Sequence, residues 1–268
     1  MRKRKRFWVY NMNTLKNEDQ LAKMRSAGHL LHDVLCATRE FIRPDITTAD
    51  INAFVDEKIR KAGAIPTEFG YEGYPASICA SIDDEVVHGI PSDVVVLKEG
   101  QIISIDVTLM LDGWQVDSCF TAPVGKISEE KQRLIRVTEE CFWHGAAAAV
   151  HGARIGDIGY AVQSHAENNG YNSVRALTGH GIGRKMHEDP SVPNYGVPGR
   201  GVRLKQGMTI CVEPMIAMGH YAVHQLDDGW TIVTNDHMPA AHYEHTIAIR
   251  GDGLPEILTL PNAKWGEI

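Results

Sequence analysis

Residues 97–106 read LKEGQIISID, and residues 204–213 read LKQGMTICVE. Leu, Lys, Gly and one Ile coincide, the apolar spacing is kept, and each copy ends on a carboxylate, Asp106 in the first and Glu213 in the second. The segments before each copy also correspond. Residues 17–43 carry helical apolar spacing (Leu21, Met24, Leu30, Leu31, Val34, Leu35) and stop before Pro44. Thr47, with Asp50 three residues on, signals the cap of a second helix that runs to Gly63. In the second half, Ser128 caps a helix over SEEKQRLIRVTEECFWHGAAAAV, and a fourth helix lies around 158–169. Each half therefore reads as two helices followed by strands, an internal duplication of about 18–125 and 126–250. The class expected is α/β (more strictly α+β), with two pseudo-symmetric halves sharing one central antiparallel sheet. No linker rich in Ser, Gly or Pro divides the halves, so residues 18–268 are read as a single domain and residues 1–17 as a basic arm.

Composition narrows the function. With 43% hydrophobic and 23% charged residues among 268, the chain can bury a sizeable core. No apolar run is long enough to span a bilayer, so no membrane role is expected. The basic start MRKRKRFWVY lacks an h-region, which argues against export. The five cysteines lack paired spacing and fit a reducing cytoplasm better than a disulfide framework. A net charge of −7 makes nucleic acid a poor partner. The basic arm reads as a solvated tail, with a transient ribosome contact as the alternative.

The acids carry the chemistry. Asp106 lies among Ile102, Ile103, Ile105 and Val107, where an unpaired carboxylate is costly and needs a partner. Asp112-Gly113 marks a hairpin turn, and WQVDSCFTAPV is its return strand. That geometry is expected to set Asp117 facing Asp106 on one face of the sheet. By the repeat, Glu213 and Glu244 form the matching pair. Four carboxylates converging near the pseudo-axis suit divalent cations. His180, between Gly179 and Gly181, is a fifth candidate ligand. Such a set can hold two ions that activate one water. His242 and His245 flank Glu244, and strand alternation is expected to point both away from it. No Gly-x-Ser-x-Gly elbow and no phosphate-cradling Gly pattern is present.

VVHGIP at 86–91, Asp106 in SIDVT, Asp117 in VDS, TGHGIGRKMHEDP at 178–190, Glu213 in ICVEPM and Glu244 in YEHTIAI, in this order and spacing, resemble the type I methionine aminopeptidases of the pita-bread metallopeptidases. No long insert separates His180 from Glu213, and no zinc-binding cysteines precede residue 18, as in the short bacterial subtype. The resemblance implies a pita-bread fold and removal of N-terminal Met from nascent proteins and peptides with a small second residue, by a metal-bound hydroxide. It implies a cytoplasmic monomer and two divalent ions drawn from Co, Mn, Fe, Ni or Zn. Asp106 would chelate one ion, His180 and Glu213 the other, with Asp117 and Glu244 bridging. His88 and His187 would be non-ligand catalytic histidines, and Glu213 the proton shuttle. Tyr71, Tyr74, Cys79 and Trp230, with His88 and His187, would contact substrate, and Phe69 would add to the pocket. One departure stands out: Val116, after Gln115, precedes Asp117 where the family often has Gly, which is expected to alter the second-residue subsite or its rim. Aminopeptidase P, prolidase and creatinase share the fold but usually carry an extra N-terminal domain. A metal-free binding module is the rival of another class, though it would be expected to have lost ligands.

Overall fold

Alternation along the strands decides which side of the sheet is wet. In the computed structural model, which describes residues 15–261, 263 and 265, Ile103, Ile105, Val107 and Leu109 are fully buried in one cluster with Leu21, Met24 and Leu31 and with Ile51, Val55 and Ile59. The residues between them, Ser104, Asp106 and Thr108, must then face the other way. The apolar row packs on helices α1 (Glu18–Phe41) and α2 (Thr48–Lys61). Asn17 and Thr47 begin these helices with capping boxes closed by Gln20 and Asp50.

The second half repeats this plan with α3 (Glu129–Ala148), capped by Ser128, and α4 (Ile155–Asn168). Phe142, Ala146, Ile155 and Ile158 pack with Ile210, Val212 and Ile247. Burying each of these large side chains contributes roughly 1.5–3 kcal/mol. The two apolar rows together can offset the several kcal/mol that each desolvated carboxylate on the opposite face costs.

The strands of the central sheet are β1 (Ile65–Pro66), β2 (Cys79–Ile82), β3 (Ile102–Leu111), β4 (Trp114–Pro123), β5 (Thr178–Gly181), β6 (Glu188–Pro193), β7 (Thr209–Val212), β9 (Glu244–Ala248) and β10 (Glu256–Ile257); β8 (Ala240–His242) belongs to a smaller sheet. The nine strands run in the order β1-β3-β4-β9-β7-β5-β6, with β2 on β3 and β10 on β9, and every pairing is antiparallel. The two halves therefore meet where β4 joins β9.

The β3–β4 turn has Asp112 at φ 51° and Gly113 at φ 74°, the two positive values that a tight twisted hairpin needs. Its register corrects one expectation. Asp106 pairs with Cys119 and Asp117 with Thr108, so the two acids are diagonal neighbours two residues apart, not directly opposed. Across a ladder, diagonal positions lie roughly 7–8 Å apart, against about 5 Å for opposed ones, which leaves room for an ion between the carboxylates. Of residues 1–17, only 15–17 are among those described. Lys16 is buried rather than solvated, with its Nζ 2.8 Å from Glu188 Oε2. No helix among the described residues is long and apolar enough to cross a membrane.

Candidate metal centre and peptide pocket

One rung of the sheet gathers the acids. Cys79 pairs with Asp106, Asp106 with Cys119, and Cys119 with Glu244. The β7–β9 register, His245 with Val212, places Glu213 across from Glu244 at the next step. Asp117 lies two residues from Cys119 on β4 and so shares its face. His180 comes in from β5, which pairs with β7 through Gly181 and Ile210.

Asp106, Asp117, His180, Glu213 and Glu244 line one cavity of about 270 Å³, together with His88, His187, Tyr71, Tyr74, Cys79 and Trp230. Phe69 does not line it; its side chain is 59% exposed. Val116 is fully buried in the helix-side core, one residue out of phase with Asp117, so it cannot reach the cavity or its rim. Its effect is limited to packing beneath β4.

Burial sets the electrostatics. Desolvation holds the carboxyls of Asp106, Asp117, Glu213 and Glu244 well above their ordinary range; repulsion adds to it, from one another at Asp106, Glu213 and Glu244 and from Glu68 at Asp117. Asp106 Oδ1, Asp117 Oδ1 and Glu244 Oε1 have no hydrogen-bond partner among the described residues. His180 Nδ1 lies 2.9 Å from the Gly181 carbonyl and donates to it, which leaves Nε2 bare and aimed at the acids. That Nε2 is 3.6 Å from both Asp117 Oδ2 and Glu213 Oε1. Such separations are too long for hydrogen bonds. They match two donors that each lie about 2.1 Å from a shared ion. The orphaned oxygens, the bare imidazole nitrogen and the oxygen-rich donor set therefore fit divalent metal.

Comparisons with known proteins agree. A family model described as metallopeptidase family M24 matches residues 22–251. The chain belongs to this family. A methionine aminopeptidase of Clostridium acetobutylicum is 48% identical over 93% of this chain and 99% of its own. Methionine aminopeptidase 1 of Bacillus subtilis is 43% identical over 91% and 98%. The crystal structure of methionine aminopeptidase from Rickettsia prowazekii superposes with a TM-score of 0.91 at 44% identity, over 93% of this chain and all of that one. A prolidase from Pyrococcus furiosus, at 18% identity and a TM-score of 0.76, shares the fold. The pita-bread architecture is thus that of the family.

The histidines and aromatic residues divide by position. His187 Nδ1 is 2.7 Å from Tyr71 Oη, and its ring meets His180 at 4.3 Å between centroids. Burial lowers the His187 pKa to about 4, so the ring is neutral near pH 7. His88 is also depressed to about 4 by burial, and it is held at φ 61°, a left-handed conformation that a non-glycine residue adopts at a cost. Trp230 meets Tyr74 edge-on at 5.0 Å and His88 at 6.4 Å. The Tyr74 hydroxyl lies within reach of the carbonyls of Ile78 (3.1 Å) and Gly89 (2.9 Å), fixing that wall.

Several cavity or donor residues escape the sequence reading. His242 lies on the cavity side, 3.7 Å from Glu244 through Nε2, which corrects the expectation that it points away. It stands two residues before Glu244, and a period of two returns a side chain to the same face. His245, one residue on, does face the helices, with its ring 5.1 Å from Phe142. Cys211, two residues before Glu213, offers its sulfur within 4.8 Å of donors on Asp117, His180 and Glu244. Glu68 and Glu72 also line the cavity, and Glu68 accepts a short hydrogen bond from Thr108. Val87, Leu177 and Met215 add apolar surface to the same cavity.

The glycines beside His180 are steric. A Cβ at Gly181 would come 2.2 Å from the Asp189 carbonyl oxygen, and one at Gly179 would come 2.4 Å from that of Cys211. Gly181→Ala must push β5 away from β6. It is expected to cost about 1–3 kcal/mol in denaturant unfolding and to weaken metal binding measured by calorimetry. Unchanged values for both would show that the strand tolerates the shift.

The buried acids also set a pH dependence. A carboxyl whose pKa is raised on folding stabilises the fold below its unfolded value, and that contribution is lost as pH rises through the folded value. The buried imidazoles, depressed to about 4 in His180 and about 3 in His242 and His245, act the other way, but only below their ordinary 6.5. Above pH 6.5 the imidazole contribution is nearly complete and the buried acids dominate the change near neutral pH. The denaturation midpoint of the metal-stripped protein is therefore expected to fall as pH rises above 6.5, and added Mn²⁺ should flatten the slope. A rising midpoint over that range would contradict this electrostatic account.

Proposed function

We infer that this chain is a metal-dependent exopeptidase that removes methionine from the N-terminus of proteins and peptides. The observation that carries this is the convergence, in one cavity, of four carboxylates and the His180 imidazole with an aromatic pocket and the His187–Tyr71 pair. Its relatives bear the name methionine aminopeptidase and match nearly end to end. His180, Glu213 and Asp106 would hold the divalent ions, with Asp117 and Glu244 as the carboxylates they would share. Divalent ions in this position supply Lewis acidity toward the scissile carbonyl and make a water acidic enough to attack at neutral pH.

The chain's own residues do the rest. Glu213, with its carboxyl pushed up by burial, takes a proton from the attacking water and passes it to the departing amine. We take the Tyr71 hydroxyl, 2.7 Å from His187 Nδ1, as the donor, so that the neutral ring carries its proton on Nε2. That N–H is then available to the carbonyl oxygen as charge builds on it. His88 positions the peptide near its cleavage point. Tyr74, Cys79 and Trp230 enclose the first side chain, and an unbranched thioether fills such a slot with little strain. We place the enzyme in the cytoplasm as a monomer acting on emerging chains. Its cysteines, all unpaired, suit a reducing compartment.

The test is a peptide panel with the metal-loaded full chain. Met-Ala-Ser should be cleaved much faster than Met-Leu-Ser, and Ala-Pro-Ala should be left intact. Cleavage of Ala-Pro-Ala in preference would assign the chain to proline-specific chemistry on the same fold.

A further inference from the structure

His242 keeps both ring nitrogens inside the protein, where neither has a hydrogen-bond partner among the described residues, and the residue is 1% exposed. An unpartnered buried imidazole is costly, so such a group is suited to meet a ligand. Its surroundings say which. Nε2 lies 3.7 Å from Glu244 Oε2 and 4.0 Å from Glu213 Oε2. Neither distance is a hydrogen bond. Both fall within the roughly 3.0–4.2 Å that separates two donors each bound about 2.1 Å from one ion.

The same spacing recurs on the other side of Glu213, whose Oε1 is 3.6 Å from His180 Nε2. The two oxygens of Glu213 thus face two different imidazoles. Donor atoms of Glu213, His242 and Glu244 all lie within 4.8 Å of one another, in a group distinct from Asp117, His180, Cys211 and Glu244. Glu244 is common to both groups and keeps one oxygen, Oε1, buried without a partner.

We propose that His242 is a metal ligand, so that this centre holds a second imidazole on the side of Glu213 opposite His180. The proposal rests on the metal centre assigned above and extends its donor set. The rival is a positioning role, in which His242 donates a hydrogen bond to Glu213 and touches no ion. That role requires the ring to move toward Glu213 from 4.0 Å. A second nitrogen donor also shifts the centre's preference from Mn²⁺ toward Co²⁺, Ni²⁺ or Zn²⁺.

The experiment is proton NMR of the full chain, stripped with chelator and titrated with Co²⁺. Each imidazole bound through one nitrogen keeps an N–H on the other, and the paramagnetic ion shifts that exchangeable signal far from the rest. Two such signals are expected at saturation, from His180 and His242, and His242→Gln should lose one of them. A single signal, unchanged by the substitution, would overturn the proposal in favour of the positioning role. No shifted signal at all would overturn the metal centre itself, and this assignment with it. The wild-type spectrum decides between one and two imidazoles even if the variant fails to fold. Calorimetry gives a second readout: His242→Gln should weaken one Co²⁺-binding step by at least about tenfold, whereas superimposable isotherms would count against ligation.

Discussion

Asp106→Asn is expected to abolish turnover while leaving the fold in place. The side chain lies on the cavity face of β3, between Ile105 and Val107 on the helix face. Asn has nearly the same shape, so packing is untouched. What disappears is one negative charge from a cluster whose members already repel one another. The metal-free variant should therefore be as stable as the parent, or more so, at neutral pH. Its kcat/KM should fall by at least the roughly 10²–10³-fold that loss of a single charge-stabilising group costs. Glu244→Gln should behave likewise and lose more metal, because Glu244 offers donors to both groups of candidate ligands. The check is a rate on Met-Ala-Ser beside metal content by elemental analysis. Full activity in either variant would remove that residue from the centre.

His187→Ala is expected to separate catalysis from metal binding. The ring contacts Tyr71 and faces His180, but it belongs to neither group of donors. Its loss should lower kcat by roughly 10²–10³-fold, as removal of one donor to a developing oxyanion does, with metal content unchanged. Tyr71→Phe should fall between the variant and the wild type, since it frees the ring to adopt either tautomer but leaves the imidazole present. Loss of an ion from His187→Ala would make His187 a ligand and reverse its role.

The repeated phrase made much of the fold legible. Duplication of LK-x-G and its apolar spacing identified two equivalent hairpins, and the caps at Thr47 and Ser128 stand where the helices begin. Local chemistry decides those features, so sequence shows them. Register is harder. Asp112-Gly113 indicates the turn, but pairing set by these two residues puts Asp106 opposite Cys119, and a slip of two leaves every side chain on its proper face. Alternation alone cannot detect that error.

His242 and Cys211 were legible in principle, since each stands two residues before a cavity acid. Val116 was equally legible as helix-facing, being one residue from Asp117. Glu68 and Phe69 were not. They lie in the irregular stretch before Tyr71, where neither period applies, and the chain turns one into the cavity and the other to solvent.

On this reading the carboxylates and His180 hold divalent metal for removal of an N-terminal methionine. Release of Met from Met-Ala-Ser by the full chain is to be followed before chelator treatment, after it, and after stepwise return of Mn²⁺ or Co²⁺. Activity should vanish on stripping and return in proportion to bound metal. Undiminished release of Met by protein shown to be free of metal would contradict the account.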